Sequence, residues 1–158
     1  MTRSLRAGEL RVSEAPDRLA IHGLGSCVAV FVYDPGARVG GLTHILLPGP
    51  PRHPTEHIGR YATTAVAAMV EETIRLGAKR SALGAKVTGG SRMFAYDTTS
   101  ARPTVGDKNI EAVLQALEEA RVTIIATDVG GETGRNVVAD LTDGSLTIST
   151  VRGGPRIV

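Results

Sequence analysis

The chain carries a single cysteine, Cys27, in the stretch Gly23-Leu24-Gly25-Ser26-Cys27-Val28, and a histidine, His44, in Gly40-Gly41-Leu42-Thr43-His44-Ile45. A thiol is mostly unreactive at neutral pH until a neighbouring base takes its proton, and imidazole is the side chain best suited to carry that proton in both directions. Glycines at 23 and 25 add a third requirement of acyl chemistry, because a chain without side chains there can turn backbone N–H groups toward a developing oxyanion. Cys27 and His44 are therefore the candidate nucleophile and base, with Gly25 and Ser26 as backbone support. The same residue types have a plainer reading. A lone cysteine is commonly a small buried apolar filler, and a histidine between Leu42 and Ile45 is commonly a hydrogen-bonded core residue. Their position relative to each other decides between the two.

Competing chemistries fit the spacing less well. Gly23-Leu24-Gly25 lacks a dinucleotide fingerprint, since Val28 stands where the third glycine belongs and a strand pattern follows instead of a helix. Cys27 with His22, His44, His53 and His57 matches no structural zinc template, and Pro54 breaks any helix joining His53 to His57. No metal and no cofactor is expected. The pairs Gly89-Gly90 and Gly130-Gly131 read as tight turns, with anion-holding backbone nests as the alternative.

Val28 to Tyr33 is apolar almost throughout, the pattern of a strand buried on both faces. Asp34-Pro35-Gly36 supplies turn chemistry, and a second strand spans Val39 to Leu47, ended by the proline-rich rim Pro48 to Pro54. If Pro35 and Gly36 are the two central residues of the hairpin turn, Asp34 faces Ala37 and the ladder zips back to set Cys27 opposite His44. Their Cβ atoms would then be roughly 4.5–5.5 Å apart on one face. Gly40-Gly41 offers a place for a bulge that would move this register.

Ala62, Ala65, Val66, Met69, Val70 and Ile74 recur at helical spacing, with Gly77 placed for a left-handed C-terminal cap. Ile110, Val113, Leu114 and Leu117 mark a second helix, with Asp107 as its expected N-cap. Strands are expected at Ala85 to Thr88, Val122 to Thr127, Val137 to Leu141 and Leu146 to Val151, the last two joined through the hairpin signal Asp143-Gly144. Strands in hairpins with helices grouped between them predict an α+β fold: one layered domain over residues 1–158, with mixed or antiparallel sheets and two main helices.

Composition removes several function classes. The chain has 158 residues, no Trp, two Phe and three Tyr, too few rings for a base-stacking nucleic-acid platform. Its net charge of +2 is not gathered into a basic run. The longest apolar run, Cys27 to Tyr33, is far short of the ~20 residues that cross a bilayer. One cysteine forms no internal disulfide, and the first twenty residues lack a signal peptide's apolar stretch, so a reducing cytoplasm is the expected compartment.

Six blocks carry a resemblance: GLGSCVAV at Gly23 to Val30, GGLTHILLP at Gly40 to Pro48, RYATTA at Arg60 to Ala65, GGSRMF at Gly89 to Phe94, VGDKN at Val105 to Asn109, and DVGGETGR at Asp128 to Arg135. In this order they resemble the CheD chemoreceptor glutamine deamidases. The resemblance implies a layered fold related to cysteine deamidase toxins, with Cys27 as nucleophile and His44 as general base and acid. It implies hydrolysis of glutamine side chains on methyl-accepting chemoreceptors, with methylesterase activity in some members and CheC, a phosphatase of the same pathway, as a further partner. The alternative is a non-catalytic regulatory partner of CheC or of the receptors. The chain departs from the family at Ile21, where a threonine usually completes the site. The imidazole then needs another orienting group, such as Thr43, Ser26, His22 or a backbone carbonyl. The rim Pro48 to Pro54 and Arg92 are the expected contacts to an acidic receptor helix.

Overall fold

A computed structural model describes residues 1–53, 57–93 and 102–158. Strand β4 (Val28–Asp34) lies at the centre, and every one of its residues is buried. Its alternating side chains supply two cores. Val28, Val30 and Val32 point into one, against the helices, while Ala29, Phe31 and Tyr33 point into the other, against a second sheet. That is why the sequence there is apolar without alternation.

The β4-containing sheet has five strands in the order β2 (Leu10–Glu14), β5 (Val39–Ile45), β4, β6 (Gly84–Gly89) and β7 (Thr123–Val129). Helices α1 (Ala62–Arg75) and α2 (Val105–Glu119) cover its outer face through Ala62, Ala65, Val66, Met69, Val113 and Leu117. The second sheet, β1 (Thr2–Ser4), β3 (Arg18–Leu24), β8 (Arg135–Asp140), β9 (Leu146–Thr150) and β10 (Arg156–Ile157), covers its inner face. Pairing is parallel at β1/β3 and β6/β7 and antiparallel elsewhere. The molecule is thus helix layer, sheet and sheet, an α+β fold with mixed sheets and two main helices.

Most of the expected elements are present, and the differences have local causes. Gly77 follows α1 with φ +125°, its N–H bonded to the Ile74 carbonyl at 3.0 Å, the left-handed exit expected of it. Helix α2 starts earlier than its apolar periodicity suggested. Its N-cap is Thr104, not Asp107, and the two close a capping box in which each side chain accepts the other's backbone N–H. Strands β1, β2 and β3 lie within the first 24 residues, where the short, polar-interrupted runs gave little periodicity to read.

The hairpin turn also differs, and with it the register around the candidate site. Asp34 pairs with Val39, not Ala37, so the loop holds four residues, Pro35 to Arg38, instead of two. The Asp34 carboxylate organises it. Oδ1 accepts the N–H groups of Gly36 and Ala37 at 2.9 and 3.2 Å, Oδ2 accepts Lys79 N–H at 2.8 Å, and Arg38 takes φ +55° to rejoin the strand. These bonds, led by the one from Lys79, hold the carboxyl below its usual range. Asp34→Ala is expected to cost about 1–3 kcal/mol by removing the buried carboxylate that collects three part-buried N–H groups. Urea unfolding above pH 5 would show the loss as a lower midpoint. Because the folded carboxyl titrates below the unfolded one, the wild-type advantage should shrink as pH falls through the acid range.

Candidate active site

The register β4 and β5 adopt pairs Ala29 with His44 and Val28 with Ile45. Cys27 therefore does not lie directly opposite His44, as a two-residue turn would have it, but one step diagonally across. A slip of two residues keeps each side chain on its original face, where a slip of one would have reversed it. Both residues remain on the inter-sheet face. Cys27 packs against the cluster that holds Ala29, Phe31 and Leu42, and His44 alternates with Leu42. Diagonal neighbours have Cα atoms about 7–8 Å apart with Cβ atoms somewhat closer, within reach of a long side chain such as imidazole.

Cys27 is half-buried and His44 is buried. Burial pushes the thiol above its ordinary range, opposed by the residue's own backbone N–H. Burial pulls the imidazole below its ordinary range, opposed by the Leu5 backbone and the Glu9 charge. Both shifts favour neutral forms. Burial thus favours a protonated thiol and an uncharged imidazole over a thiolate–imidazolium pair. His44 Nδ1 is buried with no hydrogen-bond partner among the described residues.

The loop from Gly25 to Cys27 is held by its carbonyls. Gly25 C=O accepts Ser91 N–H at 3.0 Å and Cys27 C=O accepts Gly90 N–H at 2.9 Å. Ser26 C=O accepts the Asn109 side-chain amide at 3.0 Å. With three successive carbonyls tied back, the N–H groups of Ser26 and Cys27 have no carbonyl or carboxylate acceptor among the described residues. That arrangement can meet an oxyanion. Gly23 N–H, by contrast, is occupied by Asn136 Oδ1 at 2.8 Å.

The supporting shell comes from blocks far apart in the chain. Ser91 Oγ donates to the Thr133 carbonyl at 2.8 Å and accepts buried Arg135 Nη1 at 2.7 Å. Arg92 N–H reaches the Gly131 carbonyl at 2.8 Å, and its guanidinium pairs with Asp107 at 3.0 Å. At Gly106 a Cβ would lie 2.5 Å from the Gly90 carbonyl oxygen, so only glycine lets α2 approach the loop this closely. Met93, 45% exposed, lies over Gly25 at the rim.

Other expected residues fall as follows. Thr43 is on the opposite face of β5 from His44, its Oγ1 accepting Val30 N–H at 3.3 Å. His22 is exposed on β3. Ile21 is fully buried in the inter-sheet cluster. Beside the imidazole, then, stands the Leu5 backbone. Arg92 braces Asp107. Pro48 and Pro50 of the rim lie near Thr63 of α1 and Ala112 of α2, while Pro54, like Phe94 of the GGSRMF block, is outside the described residues. Sequence reasoning missed Asn109, Ser91, Arg135 and the Leu5 backbone. The first three sit in blocks whose residue types were visible, but Asn109 and Ser91 reach main-chain carbonyls and Arg135 reaches the side chains of Ser91 and Asp128, partners that no spacing reveals.

A layered α+β domain that presents a half-buried cysteine beside a buried histidine defines a class of thiol-bearing domains, and comparison with known proteins narrows it. The family model described as CheD chemotactic sensory transduction matches residues 46–150. A probable chemoreceptor glutamine deamidase CheD of Methanococcus vannielii is 41% identical over 94% of each chain. The chemoreceptor glutamine deamidase CheD of Thermotoga maritima is 38% identical over 99% of this chain and 97% of its own. A Desulfitobacterium hafniense relative, also named probable chemoreceptor glutamine deamidase CheD, is 36% identical over 98% and 97%. Among solved structures, the Bacillus licheniformis hypothetical protein YfiH gives a TM-score of 0.49 at 18% identity, covering 75% of this chain and 49% of that one. The chain belongs to the CheD family.

Two titrations check the neutral resting pair. Iodoacetamide alkylation of Cys27 should show a midpoint above the ~8.5 of a free thiol, and NMR should place the His44 midpoint below ~6.5. Since the unfolded chain binds that proton more readily, stability should fall as pH drops below about 6.5, and His44→Gln should remove this component. A Cys27 midpoint below that of a free thiol would show an ion pair instead.

Proposed function

We propose that this chain is a protein-glutamine deamidase acting on chemoreceptors, with Cys27 as nucleophile and His44 as general base and acid. The observation that carries the reading is the placement of Cys27 and His44 on one sheet face, with the buried Nδ1 of His44 unpartnered. The names of the relatives, chemoreceptor glutamine deamidase, support the substrate class.

In this mechanism a neutral glutamine side chain enters beside Cys27. His44 takes the thiol proton as sulfur attacks the amide carbonyl carbon, and the oxyanion meets the N–H groups of Ser26 and Cys27. The tetrahedral adduct collapses as the imidazolium delivers its proton to the departing nitrogen, which leaves as ammonia. Water, deprotonated by the same imidazole, attacks the thioester, and glutamate leaves as the thiol is restored. A pair held neutral suits this sequence, because charge develops only when an acceptor carbonyl is in place. Hydrolysis of glutamyl methyl esters would use the same steps, with methanol leaving. The cytoplasm, where receptor signalling helices lie, is the proposed compartment, with CheC as a further partner.

Ile21 favours a second reading, a regulatory partner that binds receptors without altering them, since its apolar side chain offers the site no hydrogen bond. Mass spectrometry of receptor cytoplasmic fragments incubated with the protein separates the two. The expected outcome is conversion of glutamine to glutamate, absent with Cys27→Ala and slowed about 10²–10⁴-fold with His44→Ala. Unaltered receptor that nonetheless binds the wild type would replace the enzyme with the binding protein.

A further inference from the structure

The ladder between β4 and β5 ends at Val28 and Ile45. One step further, Cys27 and Leu46 would be the next pair, but their backbones turn apart. Leu46 N–H goes to the Arg60 carbonyl at 3.0 Å, and Cys27 C=O accepts Gly90 N–H at 2.9 Å. The hairpin is therefore open at the end that carries the thiol and the imidazole. One side chain crosses the opening. Asn109 of α2 is 0% exposed, and its Nδ2 donates to the Ser26 carbonyl at 3.0 Å and the Leu46 carbonyl at 2.9 Å.

We propose that Asn109 is a positioning residue for the Cys27–His44 pair, stapling the carbonyl just before the thiol to the carbonyl just beyond the imidazole. The inference rests on the deamidase reading only for its kinetic consequence.

The chemistry of the side chain selects this role. Two hydrogens on one nitrogen let a primary amide bridge two carbonyls, whereas a hydroxyl has one hydrogen and a carboxylate none. The bridge has a cost that packing alone would not demand, because Asn109 Oδ1 is buried without a partner. A leucine would fill the space without burying that oxygen. The helix is seated to deliver the amide: Gly106 lies against the Gly90 carbonyl and the Thr104–Asp107 box fixes its first turn. Asn109 thus ties α2, the cysteine loop and the end of β5 together where backbone pairing no longer does.

The test compares Asn109→Leu and Asn109→Asp with Val113→Ala, a core change one turn along α2 that touches neither carbonyl. Circular dichroism melts establish folding. Deamidation of a receptor cytoplasmic fragment is expected to lose about 10- to 100-fold in kcat in both Asn109 variants, with KM within about twofold, as for a small misplacement of reacting groups. The Cys27 alkylation midpoint should drop toward the ~8.5 of a hydrated thiol as the loop loosens. Val113→Ala should lower the melting temperature while leaving both readouts unchanged. If the wild type yields no glutamate, the deamidase reading fails, and the alkylation midpoint alone decides the staple. Folded Asn109 variants with the wild-type midpoint would overturn the proposal. So would loss of folding in both while Val113→Ala folds, since Asn109 would then be a core residue.

Discussion

The place where the β4–β5 ladder stops is the constraint on which the rest of the site depends. While the two strands pair, their backbones satisfy each other and their side chains are sealed between two layers. Where they part, at Val28 and Ile45, polar main-chain groups must find other partners or remain stranded. The molecule answers with partners from elsewhere: Gly90 and Ser91 as donors to the cysteine loop, Arg60 as acceptor for Leu46 and Leu47, and Asn109 as donor across the gap. Every one of these groups tethers a carbonyl of the cysteine loop or the chain just past His44. The N–H groups of Ser26 and Cys27, which meet no carbonyl or carboxylate acceptor among the described residues, are on the same short loop as the thiol.

This explains why sequence blocks with no chemistry of their own are spread along the chain. Arg135 lies in β8 of the second sheet, yet its guanidinium holds Ser91, whose N–H holds Gly25. Asp107 braces Arg92, and Gly106 lets α2 pack backbone to backbone against Gly90. The glycine pairs at 89 and 130 take positive φ where β6 and β7 end, and Gly130 N–H is bonded to the Gly89 carbonyl at 2.9 Å. A side chain as small as that of Cys27 is positioned by its backbone, and backbone is positioned by hydrogen bonds from whatever the fold brings near.

The sequence carried the central features and lost the details that depend on main-chain geometry. Unbroken apolarity from Val28 to Tyr33 foretold burial on both faces, since the strand serves two cores. Alternation placed Cys27 and His44 on one face, and that survived a change of register because the turn grew by two residues. The turn length itself was illegible: Pro35-Gly36 has the composition of a two-residue turn, and the carboxylate of Asp34 decides otherwise by collecting three N–H groups. Asn109 was visible as a letter in VGDKN but not as a bridge, because its partners are the carbonyls of Ser26 and Leu46. Those are contacts that any residue at 26 or 46 would offer.

Ile21 is apolar where the family resemblance implies a threonine. Its position on β3 faces the inter-sheet core with Leu19, Leu24 and Ala29, so the side chain contributes packing where a hydroxyl would contribute a hydrogen bond. Orientation of the imidazole then passes to main chain. The Leu5 backbone lies beside the ring, Leu5 N–H is itself bonded to the Ala20 carbonyl at 2.8 Å, and the His44 backbone is pinned on both sides by Gly8 N–H and the Glu9 carbonyl. A backbone carbonyl is a weaker electrostatic partner than a charged group, and it leaves burial to dominate the ring's titration. Burial therefore favours the uncharged ring, the form able to accept a proton in the proposed mechanism.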